Sequence, residues 1–151
     1  MTEVSAPRTN LSTDIELAAL LNSAVTIAVV GTSTNPEKAA HKVPAFLIEA
    51  GYTVIPVHPT ATETLGRRAY ASLADIPGHI DIVDVFRPAG EAPGIAEQAV
   101  AAGAGALWLQ LGVSSVEAGQ IAGNAGLAFV QDTCIGETTQ RLGTQPPTDP
   151  A

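Results

Sequence analysis

The sequence predicts an α/β fold: a Rossmann-like, doubly wound parallel sheet of five strands in a single domain. Three observations carry this. Near-continuous apolar runs recur along the chain, as parallel strands covered on both faces require. Helical segments alternate with these runs and stop at Gly51, Gly103 and Gly126. Finally, five of the seven Lys and Arg residues (Lys38, Lys42, Arg67, Arg68 and Arg87) fall just after the first three runs, in a chain of net charge −8. Open α/β sheets hold ligands beyond the carboxyl ends of their strands. The clustering therefore points to a compact, multiply charged anion of nucleotide type.

Element by element, residues 1–12 are polar and expected to be flexible. Thr13-Asp14 caps a helix over Ile15, Leu17, Leu20 and Leu21, with Glu16 placed for a capping box. Thr26 to Val30 reads as the first strand and ends at Gly31. Proline is tolerated in the first turn of a helix, so Pro44 sets the start of the next helix near His41. That helix packs Val43, Phe46 and Leu47 on the sheet and leaves a long loop before it, about residues 32–40. Tyr52 to Val57 is the second strand and Ile80 to Phe86 the third. A helix over Ile95, Ala96, Ala99 and Val100 leads to a fourth strand, Ala106 to Gln110. A helix from Ser115 to Asn124 leads to the fifth, Leu127 to Val130. The domain thus spans 13–142, and the Pro- and Thr-rich residues 143–151 are expected to be disordered.

With 151 residues and 46% apolar content, one domain can bury a core without staples. No apolar run approaches membrane-spanning length, and no signal-peptide pattern opens the chain. The one cysteine, Cys134, fits a reducing, cytoplasmic setting. The acidic balance argues against non-specific binding of nucleic acid or anionic membrane. His41, His58 and His79 are too scattered for a metal site.

Gly31-Thr32-Ser33-Thr34-Asn35-Pro36 stands where such folds put a phosphate loop, but it is not G-x-G-x-x-G. Ser33 and Pro36 occupy the second and third glycine positions, and the second strand ends Val57-His58-Pro59 without a ribose-binding acid. A standard NAD site is therefore not expected. The helix N-terminus after the loop favours an anion, with Lys38 and Lys42 flanking it. The competing reading is an ordinary loop with solvated lysines. Asp81 and Asp84, three apart in a strand, point to opposite faces and make no acid/base pair; Asp84 is expected to cap or orient a loop. Trp108 is expected in the core, and Cys134 to be buried and inert.

Several segments together resemble one family. They are Gly31-Thr32-Ser33, Asn35-Pro36, Lys38 and Val43-Pro44; then Gly51-Tyr52-Thr53-Val54-Ile55-Pro56-Val57-His58-Pro59. Leu65-Gly66-Arg67-Arg68 and Tyr70-Ala71-Ser72-Leu73-Ala74-Asp75-Ile76-Pro77 follow, then Asp81 to Arg87 and Trp108-Leu109-Gln110-Leu111-Gly112. The chain resembles the stand-alone CoA-binding domains. These are related to the CoA-binding domain of succinyl-CoA synthetase alpha subunits and of NDP-forming acyl-CoA synthetases. It departs from the pattern at His58, where relatives have Asn, and at Thr138-Thr139, where many have Glu-His.

The resemblance implies coenzyme A or an acyl-CoA as ligand. Gly31, Thr32 and Ser33 would lie against its phosphates, and Lys38 and Lys42 would neutralise the pyrophosphate or the 3′-phosphate, with Arg87 contributing. His58 and Pro59 would wall the adenine, and Val85 and Phe86 would line the adenine or pantetheine groove, with a plain core role as the alternative for Val85. Arg67 and Arg68 read as a solvated face. Cys134 lies where a thiol could approach the CoA sulfur. Relatives that perform acyl-CoA chemistry carry further domains and a phosphohistidine, whereas no histidine follows His79 here. The expectation is a binding protein without catalysis of its own. The alternatives are a partner subunit of an acyl-CoA synthetase or transferase, and an NAD(P)-responsive redox sensor. A homodimer or an enzyme partner is compatible with this reading.

Overall fold

The structure is a computed structural model that describes residues 10–148. Its helices are α1 (Asp14–Ser23), α2 (Ala39–Glu49), α3 (Ala92–Ala101), α4 (Val116–Asn124) and α5 (Ile135–Leu142). Its strands are β1 (Thr26–Val30), β2 (Thr53–Val57), β3 (Glu63–Thr64), β4 (Arg67–Arg68), β5 (Ile82–Val85), β6 (Ala106–Leu109) and β7 (Ala128–Val130). Five strands form one parallel sheet in the order β2-β1-β5-β6-β7. The predicted single-domain α/β sheet is the observed one.

Strand residues alternate between two apolar layers, as the period of two demands. Ala28, Val83, Val85, Leu107 and Leu109 face α3 and α4, which contribute Ile95, Ala96, Ala99, Ala118 and Ala122. Ile27, Val29, Ile82, Ala106 and Trp108 face the other way, onto Leu17 and Leu21 of α1, Leu47 of α2 and Ile135 of α5. The capping box forms as predicted: the Glu16 N–H donates to Thr13 Oγ1 (3.2 Å), and the Thr13 N–H donates to Glu16 Oε1 (3.1 Å).

The helix α2 begins at Ala39, earlier than expected, and Pro44 lies inside it. Proline cannot donate to the carbonyl four residues back. Here that carbonyl, on Ala40, instead accepts the Ser33 N–H from the loop after β1 at 3.0 Å. An acceptor satisfied from outside the helix lets the proline sit a turn deeper.

Asp84 does not orient a loop. It lies mid-strand, level with Val29 of β1 and Trp108 of β6, fully buried and with neither carboxylate oxygen hydrogen-bonded. Burial pushes its pKa well above the usual carboxylate range. Asp81 marks the start of β5 instead, its Oδ2 accepting the N–H groups of Val25 (2.8 Å) and Thr26 (2.9 Å).

Two elements had no counterpart in the expectations: α5 and the small β3–β4 hairpin. At the chain ends, residues 1–9 and 149–151 lie outside the described residues. Leu11 donates to the Phe129 carbonyl (2.8 Å). Past Gly143, Thr144 is buried and the Gln145 N–H donates to Asn22 Oδ1 (3.2 Å), so the tail folds back onto α1.

Candidate ligand-binding site

The strand order places a topological switch between β1 and β5: the chain runs from β1 to β2 on one side, then crosses back to β5 on the other. Loops that diverge at such a point open a crevice at the carboxyl ends of the strands. Gly31 closes the floor of that crevice. Its φ is +89°, and a Cβ there would lie 2.6 Å from the Phe86 carbonyl oxygen and 2.8 Å from Arg87 Cδ. Only glycine permits both this backbone conformation and the contact.

A cavity flanks this seam on each side. One, of about 310 Å³, is lined by Val30, Gly31, Val57, Pro59, Ser72 and Gln98, among others. The other, of about 440 Å³, lies among Ala39, Ala40, Val43, Phe86, Val113 and Cys134 and is mostly apolar. Arg87 lines both. Each falls within the range of roughly 300–1,000 Å³ usual for small-molecule sites. A third cavity of about 330 Å³ lies behind the 3₁₀ turn Leu73–Asp75, against α3, and shares Ser72 and Gln98 with the first.

The loop after β1 is tied down by its own polar groups. Thr32 is buried, and its hydroxyl donates to the Val29 carbonyl (2.7 Å), so it holds the loop rather than facing a ligand. Ser33 is held by α2 twice: its N–H by Ala40, and its carbonyl by His41 Nδ1 at 2.8 Å. Ser33 Oγ accepts the Asn35 N–H (3.0 Å), and Asn35 Oδ1 accepts the Glu37 N–H (3.0 Å).

Lys38 is the N-cap residue of α2 and Lys42 lies in its first turn; both are exposed. The first N–H groups of a helix have no acceptor within it. Those of α2 belong to Ala39 and Ala40, the residues that line the larger cavity. Arg87 is not a free cation: its Nε and Nη2 donate to Glu91 Oε1 (3.1 Å) and Oε2 (2.7 Å). That pairing holds the Glu91 carboxyl below its usual pKa.

His58 shapes the chain after β2. Its Nδ1 accepts the N–H groups of Thr60 (3.1 Å) and Ala61 (2.8 Å), fixing the turn that presents Pro59 to the smaller cavity. Arg67 and Arg68 sit on the exposed β3–β4 hairpin, with Arg68 stacked 4.9 Å over the Tyr70 ring. Tyr70 is bonded to Pro56 and His58, which moors the hairpin to the end of β2. Val85 is fully buried in the α3 layer and lines neither cavity.

Cys134 departs from expectation: it is half-buried, forms the N-cap of α5 and lines the larger cavity. Its segment is pinned by Trp108 Nε1 donating to the Thr133 carbonyl (2.8 Å) and by the Ile135 N–H donating to Gln110 Oε1 (2.9 Å). Sequence reasoning assigned no role to Ser72, Gln98, Glu91, Gln110 or Val113; Ser72 and Gln110 were visible only as letters of a recurring motif. Among the described residues there is no grouping of His, Cys, Asp and Glu that could hold a metal ion, and no helix long and apolar enough to cross a membrane.

Fold and site define an α/β domain with a nucleotide-sized crevice at its switch point. Residues 25–140 match the family model described as the CoA binding domain, and the chain belongs to that family. It is 41% identical over 120 residues to the uncharacterized protein YneT of Bacillus subtilis (strain 168), spanning 80% of this chain and 89% of that one. A solved structure of a hypothetical protein from Pyrococcus horikoshii OT3 matches with TM-score 0.84 at 38% identity, over 93% of this chain and 99% of the other. A dinucleotide forming acetyl-coenzyme A synthetase from Ca. Korarchaeum cryptofilum shares the fold at 24% identity and TM-score 0.66; 74% of this chain aligns with 26% of that one.

Proposed function

We propose that this protein binds coenzyme A or an acyl-CoA across the carboxyl ends of β1 and β5, without catalysis of its own, in the cytoplasm. The nucleotide end lies in the smaller cavity, with His58 and Pro59 beside the adenine and the Gly31-Thr32-Ser33 turn under the phosphates. The pantetheine arm passes Arg87 and Phe86 into the larger, apolar cavity. Lys38 and Lys42, exposed at the start of α2, neutralise the phosphates.

The observation that carries this reading is the pair of cavities, one of mixed polarity and one mostly apolar, that share Arg87 on either side of the Gly31–Phe86 contact. A ligand with an anionic head and a long, thin tail matches that shape. The titratable groups lining the two cavities are Arg87, Glu91 and Cys134, and the first two neutralise each other, which favours holding over acid–base chemistry.

The test is a thermal-shift titration with CoA, dephospho-CoA, acetyl-CoA and NAD. At about a hundred times its dissociation constant, a ligand stabilises the fold by roughly 2.7 kcal/mol, a shift of several degrees. CoA is expected to shift the transition more than dephospho-CoA, and NAD not at all. No shift with any CoA species overturns the reading.

A further inference from the structure

We propose that Cys134 is a thiol–disulfide exchange site for the ligand's own sulfur, so that the protein takes up the disulfide form of CoA as a mixed disulfide. This rests on the binding mode above and adds a covalent step to it.

Two independent observations at the larger cavity support it. The first is the placement of the thiol: Cys134 is half-buried in the cavity wall, at the start of α5. The second is Gln110, which lines the same cavity and is 4% exposed. Its Oε1 is taken by the Ile135 N–H, whereas its amide N–H₂ has no protein acceptor among the described residues and is not sealed from solvent. A side chain so buried ordinarily has its donors satisfied. Here the free donor borders a cavity with apolar walls and calls for an acceptor such as a ligand amide carbonyl. A pantetheine arm carries two such amides and ends in a thiol.

The wall that presents the thiol is fixed. The Cys134 carbonyl accepts the Thr138 N–H (3.0 Å) and the Thr138 hydroxyl (2.8 Å). With one cysteine in the sequence, no second thiol of the chain can resolve an adduct.

In the reaction, the Cys134 thiolate attacks one sulfur of CoA disulfide. A Cys134–CoA disulfide bond forms as the original S–S bond breaks, and the second CoA leaves as a thiolate that takes up the proton Cys134 released. One disulfide is exchanged for another, with no external oxidant, and an external thiol reverses the step.

The test incubates the reduced protein with CoA disulfide and follows intact mass under non-reducing conditions. CoA affinity is measured separately by calorimetry on the same protein and on Cys134→Ser. The expected result is one CoA adduct per chain, removed by dithiothreitol and absent in Cys134→Ser. The adduct should form at least about tenfold faster than with glutathione disulfide, because the bound ligand is held beside the thiol. Equal rates with the two disulfides would mark Cys134 as merely accessible and overturn the proposal. CoA binding without an adduct would overturn it while leaving the binding reading intact; no CoA binding at all would remove the binding reading itself.

Discussion

The two cavities at the sheet edge are built in opposite ways. The smaller takes much of its shape from backbone: Gly31, the His58 turn and the end of β2 form one side of it, and the loop after β1 is bonded within itself and to α2. The larger is a side-chain structure, lined by Ala39, Val43, Phe86, Val113 and Cys134 from four separate stretches of chain. The first is made by conformation, which a single Cβ can destroy. The second is made by volume, which a larger side chain can fill. Arg87, common to both, is the one position where a change should be felt equally by head and tail.

Substitutions can test this contrast. Gly31→Ala has the largest expected effect. It forces a side chain into the left-handed region and against the Phe86 carbonyl, costing more than about 2 kcal/mol of stability. Denaturant unfolding measures that loss, and binding of both CoA and adenosine 3′,5′-bisphosphate should fall with it. Val113→Phe separates the cavities: CoA affinity drops about tenfold or more, roughly 1.4 kcal/mol, while the bisphosphate, lacking the tail, binds unchanged by calorimetry. Equal losses for both ligands would show that the cavities do not divide head from tail.

Arg87→Ala should weaken both ligands about tenfold. Its exposed ion pair contributes little to the fold, so the melting temperature barely moves. Glu91→Gln frees the guanidinium and should tighten CoA about threefold at low salt, an effect lost as salt is raised.

One further effect lies outside both cavities and depends on pH. Asp84 has a folded-state pKa raised by burial, so the fold binds its proton more tightly than the unfolded chain. The stability this lends is fully present below about pH 4 and is lost as pH rises towards the raised value. Melting curves of wild type and Asp84→Asn should therefore diverge as pH increases, with the variant gaining relative to wild type. A constant difference would show that the carboxyl does not ionise in this range.

The same contrast explains what was legible in the sequence. Strands covered on both faces announce themselves as apolar runs, so all five sheet strands could be read from Ile27, Val54, Ile82, Leu107 and Phe129 and their neighbours. Gly31 and Arg87 could be read because a loop at a strand end has a known place. By contrast, α5 was silent: it buries Gly136, Thr138 and Thr139 beside Ile135, so no apolar period marks it. The two-residue strands β3 and β4 are too short for any pattern. The larger cavity was illegible for a related reason, since residues scattered from 39 to 134 become neighbours only through the β1–β5 switch and the packing of α5 on α2. His58 shows a subtler limit: the letter alone does not reveal that Nδ1 accepts two backbone N–H groups and fixes the turn.

Pro44 bears on how this domain should be engineered. Replacing a helix-interior proline by alanine is normally a safe gain, since it restores a missing hydrogen bond. Here the restored N–H would compete with Ser33 for the Ala40 carbonyl, the tether that keeps the phosphate-side loop on α2. The substitution that most improves the helix would thus loosen the loop it carries, trading rigidity at the crevice for regularity behind it.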